Sequence, residues 1–189
     1  MDRTVVTGAL VPDGEDWLRV EVERAARAAF VGLLDARPAA DYCGYALYSD
    51  AGAMTVCCAA NTVSHLAQLR AEYPAEAEYY EWTPAEWAME GVAAKQFASI
   101  CRRLYAAEHA DDAEFTRFRD ALYDACVAVL ESLVAAGTFG PGTDHVVVFA
   151  VSDPDDEDPA REAGWIRRLN PPNQADRFAR WIETASAQP

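Results

Sequence analysis

Lysine is nearly missing from this chain: Lys95 is the only one, and fifteen of the sixteen basic residues are arginine. Those sixteen face thirty-one carboxylates, which leaves a formal net charge of −15 on 189 residues. A field of that sign repels nucleic acid and anionic membrane and attracts basic partners. No apolar run approaches the ~20 residues of a membrane span. The start, Met1-Asp2-Arg3-Thr4, lacks the basic-then-apolar plan of a secretory signal. The expectation is a cytoplasmic protein that binds neither nucleic acid nor membrane.

The machinery of chemistry is equally sparse. The three histidines, His65, His109 and His145, fall on different predicted elements, without the spacing of a zinc hydrolase. There is no Gly-x-Ser-x-Gly elbow and no phosphate-cradling glycine loop. The five cysteines form no Cys-x-x-Cys pair, so they read as reduced, buried thiols. A Cys57 or Cys58 nucleophile would need a base such as His65 beside it. Asp153, Asp155 and Glu157 alternate as in a calcium loop, but the turn glycine is absent and Pro154 intervenes. Catalytic residues, metal and cofactor are therefore all read as none.

What is present is a core: 51% of residues are hydrophobic. Residues 1–189 read as one domain, with 1–14 a flexible arm or short strand. Leu18, Val22, Ala25, Ala29 and Leu33 share one face of a predicted helix 15–36. Tyr42 to Tyr48 and Ala53 to Ala60 read as a hairpin with Leu47 facing Met54, Tyr45 facing Val56 and Cys43 facing Cys58. Thr62 caps a helix 62–72, and a Glu/Tyr-rich link runs to Tyr80.

Trp82-Thr83-Pro84-Ala85-Glu86-Trp87 has every part of a helix start. Thr83 and Glu86 form a capping box, Pro84 takes the first position, and the two tryptophans have staple spacing. That helix is expected to reach Ala107, burying Ala94, Phe97, Cys101 and Leu104. Asp111 or Asp112 opens another, 113–136, with apolar stripes broad enough for a central position and Gly137 as its stop. His145 to Val151 is continuously apolar, as in an interior strand. An acidic loop, 153–159, and a return segment, 165–172, precede a last helix at 174–185. The fold class is thus α+β: a small, mainly antiparallel sheet (hairpin 42–60 plus strand 145–151) against about five helices.

The order of these motifs resembles a bacterial family of unassigned role, the DUF4303 domain. The matching pieces are Tyr45-Ala46-Leu47-Tyr48-Ser49-Asp50 with Gly52, Ala60-Asn61-Thr62, and Tyr80-Glu81 leading into the Trp82–Trp87 motif. Gly137-Thr138-Phe139-Gly140, Val148-Phe149-Ala150-Val151-Ser152-Asp153 and Leu169-Asn170-Pro171-Pro172 complete it. The likeness covers about residues 15–183, and its most specific part is Trp-Thr-Pro-Ala-Glu-Trp. It implies an α+β domain and companionship with toxin–immunity systems, and it brings no catalytic residues.

The leading functional expectation is a non-catalytic acidic protein-binding module, of the kind that neutralises a basic toxin domain. Its first expected contacts are Asp155, Asp156, Glu157 and Asp158, with Glu72, Glu76 and Glu78 as an equal alternative. The second expectation is a small-ligand binder or enzyme with a pocket formed by Asn61, Trp82, Glu86, Trp87, Arg168 and Asn170. Arg167 and Arg168 are otherwise expected to pair with the acidic loop. A third is mimicry of nucleic acid by arrayed carboxylates. Oligomeric state is left open.

Overall fold

Alternation at period two builds the centre of the molecule. In the computed structural model, which describes residues 16–140, 145–152 and 158–185, β1 (Tyr42–Asp50) pairs antiparallel with β2 (Val56–Thr62). Tyr45 and Leu47 of β1, with Val56, Cys58 and Ala60 of β2, face one core; Ala46 and Ala59 face another. β3 (Met89–Val92) lies outside β2, and β4 (Val146–Ser152) outside β1, giving the order β3-β2-β1-β4. β4 runs parallel to β1, so the sheet is mixed rather than mainly antiparallel.

Among the described residues seven helices cover it, more than the five or so expected. The first core takes α1 (Asp16–Ala36), α4 (Ala94–Tyr105) and α5 (Asp112–Ala135). The second takes Trp82, the last residue of α3 (Ala77–Trp82), with α6 (Pro159–Leu169) and α7 (Pro172–Ala185). α2 (Val63–Glu72) follows β2 directly, and the Thr62 hydroxyl accepts the His65 N–H at 3.3 Å as the expected cap. All five apolar positions read on α1 are buried. Asp111 caps α5, accepting the Glu114 N–H at 2.8 Å, and Gly137 ends it at φ 66°.

Burial on both faces explains the unbroken apolar run of β4. Val147 and Phe149 enter the first core, Val146 and Val148 the second. Yet among the described residues β4 is an edge strand, not the interior one expected. The Asn170 side chain substitutes for a neighbour: its Oδ1 accepts from Val147 N at 2.8 Å and its Nδ2 donates to Val147 O at 2.7 Å. At Val147 the edge is thus occupied by a side chain.

Three local expectations are corrected. The hairpin is slipped: Leu47 pairs with Cys58, Tyr48 with Cys57 and Tyr45 with Ala60. The turn is longer than expected because the Asp50 carboxylate accepts from Met54 N and the Thr55 hydroxyl, while Ala53 takes φ 53°. The slip is even, so each side chain keeps its predicted face. Cys43 falls at an irregularity between Tyr42 and Gly44 and does not face Cys58.

The helix expected from Thr83 to Ala107 is divided. Pro84–Glu86 makes one 3-10 turn with no side-chain cap from Thr83, and Gly91 and Ala93 turn left-handed at φ 61° and 56°. Between them β3 joins β2, pairing Cys58 with Val92. Trp87 closes no staple; its ring packs on Gly44, where a Cβ would stand 2.9 Å from Cη2. Any side chain at 44 would displace that ring. α4 buries Phe97, Ile100 and Leu104 but leaves Ala94 exposed.

Finally, two expected linkers are helical. The Glu/Tyr-rich link contains α3, and the return segment belongs largely to α6. Asp158 caps α6, accepting the Arg161 N–H at 2.9 Å, with Pro159 at the first position.

Candidate functional site

Residues 71–94 contain six glutamates and no Lys, Arg or His. The fold turns this stretch into an exposed face at the end of α2 and along α3. Tyr73 and Tyr79 are 41% and 37% exposed, and Tyr80 packs against both, with ring centroids 5.5 and 5.3 Å away. Each phenol has a carboxylate beside it. Tyr79 donates to Glu86 Oε1 at 3.2 Å, Tyr73 faces Glu72, and Tyr80 faces Glu76. All three phenols are held above their ordinary range. For Tyr73 the first cause is the hydrogen bond with Glu72; for Tyr79 and Tyr80 it is lost hydration, then their carboxylates. Neutral phenols beside ionised carboxylates make a surface that accepts cations.

Beneath this face the charge is balanced. Glu81, 8% exposed, accepts Arg70 Nη2 at 2.6 Å and also the Arg177 guanidinium from α7. Arg177 reaches Glu78 as well, at 3.2 Å, and Glu78 accepts the Trp82 indole N–H at 3.1 Å. The network joins α2, α3 and α7. Burial raises the Glu81 carboxyl above its ordinary value, against the opposing pull of Arg177 and Arg70. The folded chain therefore holds that proton more tightly than the unfolded one. Its contribution to stability is full below the ordinary carboxylate range and is lost as pH rises through the raised value.

Glu131 runs the other way. The hydrogen bond from Arg168 holds it low, so its contribution is present above the ordinary range and lost as pH falls through the depressed value. Glu81→Gln mimics the protonated form. It is expected to match or slightly exceed wild-type stability at neutral pH, by less than about 1 kcal/mol because both arginines are partly solvated. That margin is expected to vanish in acid. Urea titrations at the two pH values check it, and clear destabilisation at neutral pH would refute it.

The residues of the expected ligand pocket are divided by the fold. Asn61, Trp87 and the Glu86 backbone come together: Asn61 Oδ1 accepts from Ala88 N at 3.4 Å, and His65 Nε2 donates to Glu86 O at 3.0 Å. Asn61 Nδ2 and Trp87 Nε1 are buried donors without a partner among the described residues. Trp82 is core, packed on Phe178. Arg168 leans the other way and grips Glu131 of α5 through two bonds of 2.9 and 2.7 Å; the loop residues 153–157 expected to pair with it lie outside the described residues. Arg167 Nε donates to Ala163 O at 3.1 Å. Asn170 is engaged by Val147, as described above. Of the expected partner contacts, Asp158 is the cap of α6, and Asp155, Asp156 and Glu157 lie outside the described residues.

No thiol is poised as a nucleophile among the described cysteines whose titration is perturbed. Burial raises Cys43 to about 11 and Cys58 to about 12, and it raises Cys57 as well. Cys58 donates to Val92 O at 2.9 Å inside the core, away from the His65 contact with Glu86. Among the described residues no three His, Cys, Asp or Glu side chains gather as a metal ion requires. No helix of the described residues is long and apolar enough to cross a membrane.

Sequence reasoning named the acidic loop first and Glu72, Glu76 and Glu78 as an equal alternative for partner contacts, but treated the three tyrosines as part of a link. The signal available was the base-free stretch itself, six glutamates interleaved with three tyrosines. No curated protein and no solved structure matches the chain. A family model does, over residues 22–171, and on that match the chain belongs to the family described as Domain of unknown function (DUF4303).

Proposed function

We propose that this chain is a non-catalytic acidic module that binds a basic protein through the face formed by Tyr73, Tyr79 and Tyr80 with Glu72, Glu76 and Glu86. One observation carries the reading: three clustered phenols, each beside a carboxylate, on a stretch without a basic residue. Aromatic faces and carboxylates together attract guanidinium and ammonium groups. Tyrosine also supplies large contact area at low entropic cost, as binding surfaces commonly require. The net charge of −15 steers a cationic partner into encounter. In its finer form the reading makes the partner a basic toxin domain, neutralised by the complex. The loop residues Asp155, Asp156 and Glu157 would extend the anionic surface.

Calorimetric titration with a small arginine- and lysine-rich protein as the probe tests the reading. A saturable complex is expected, weakening steeply as salt screens the surface. Absence of binding at low ionic strength, or affinity indifferent to salt, would reject it.

A further inference from the structure

We propose that the cleft between α2, α3 and the start of β1 binds a small organic anion, an acid group on an apolar body, with Arg70 holding the acid. This goes beyond the protein-binding reading and uses none of the exposed phenols. The cleft measures about 630 Å³, within the range of small-molecule sites. Val63, Leu66 and Phe139 supply an apolar wall, and Arg70 and Glu81 stand at its polar side.

The charge arrangement selects the sign of the ligand. Glu81 Oε2 is shared by Arg70 and Arg177, so one carboxylate oxygen serves two guanidiniums. Arg70 uses Nη2 for that bond, makes no other hydrogen bond among the described residues, and keeps its side chain 41% exposed. Its remaining donors suit the forked geometry of a carboxylate. An amine would meet the Arg70 guanidinium and find a single carboxylate, Glu81, whose Oε2 already serves two arginines.

A second feature lies behind the cleft wall, although Tyr45 itself does not line the cleft. Tyr45 is wholly buried, and among the described residues its hydroxyl has no hydrogen-bond partner. Buried hydroxyls nearly always have one. Three of the rings packed on Tyr45, those of Tyr42, Phe139 and His145, line this cleft. The cleft therefore borders the shell around an unsatisfied buried group.

The test uses the whole chain with hexanoate and benzoate as probes, and hexylamine and benzylamine as controls of matched shape. Melting temperature and calorimetry are read together. Both acids are expected to bind saturably and raise the melting temperature, and the amines are not. Arg70→Gln, which leaves Glu81 paired with Arg177, is expected to weaken acid binding by at least about tenfold. Ala67→Trp fills the cleft from an exposed position on α2 and is expected to block binding without lowering the melting temperature. The proposal is overturned if neither acid binds, if the amines bind as well, or if either variant binds like the wild type. Those failures leave the protein-binding face untouched, so the two readings fall separately.

Discussion

Trp82→Ala is expected to cost about 3–5 kcal/mol of folding stability, the largest single-site loss foreseen here. The indole is 3% exposed and packs α3 against α7 beneath the arginine–glutamate network that also links them. α3 is six residues long, far below the length at which a helix persists unaided. Its anchor is this ring, edge-on to Phe178 at 5.2 Å, with its N–H on Glu78 and Arg177 above its face at 5.9 Å. Alanine would leave a cavity between α3 and α7 and loosen the Arg177–Glu78–Glu81 network. Urea denaturation measures the loss as a lower midpoint at unchanged slope. A change below about 1 kcal/mol would mean that α3 is held by something other than this contact.

The second large effect concerns binding. Replacing Tyr73, Tyr79 and Tyr80 together by alanine is expected to weaken the basic partner by at least about 100-fold, or 2.7 kcal/mol. Stability should change little, because two of the rings are more than a third exposed. Neutralising Glu72, Glu76 and Glu86 to glutamine should act differently, slowing association and flattening the salt dependence more than it speeds dissociation. Changing Asp155, Asp156, Glu157 and Asp158 to asparagine compares the acidic loop directly. If the loop variant loses more affinity than the tyrosine variant, the contact surface lies there. Calorimetry and stopped-flow association on the three variants separate these outcomes.

Long periodic segments were legible from the residues alone. Helix α1 and its five buried positions follow from spacing, and so do the Asp111 cap and the Gly137 stop of α5. Each of these has local and tertiary preferences in agreement. The failures lie where the two diverge. Thr83 to Trp87 carries a complete helix-start signal, but burying Trp87 against Gly44 and adding β3 to the sheet prevail over it. Gly91, read as helical, was the local warning.

The acidic loop hid a second start. Asp158-Pro159 is a cap followed by a first-position proline, yet the proline was read as a loop breaker. Site residues fared likewise. Asn170 and Arg168 offered polar groups of the right kind, but only the fold shows one serving a strand edge and the other a glutamate on α5. The tyrosine face could be counted in the sequence. Its exposure could not.

Amide hydrogen exchange on the chain, free and saturated with the same basic probe protein, addresses the core proposition most directly. If this molecule acts by offering anionic, ring-studded surface to a cationic partner, slowed exchange should concentrate across residues 72–86. A stoichiometric complex that leaves that stretch unprotected, or turnover of a metabolite abolished by a cleft substitution, would contradict it.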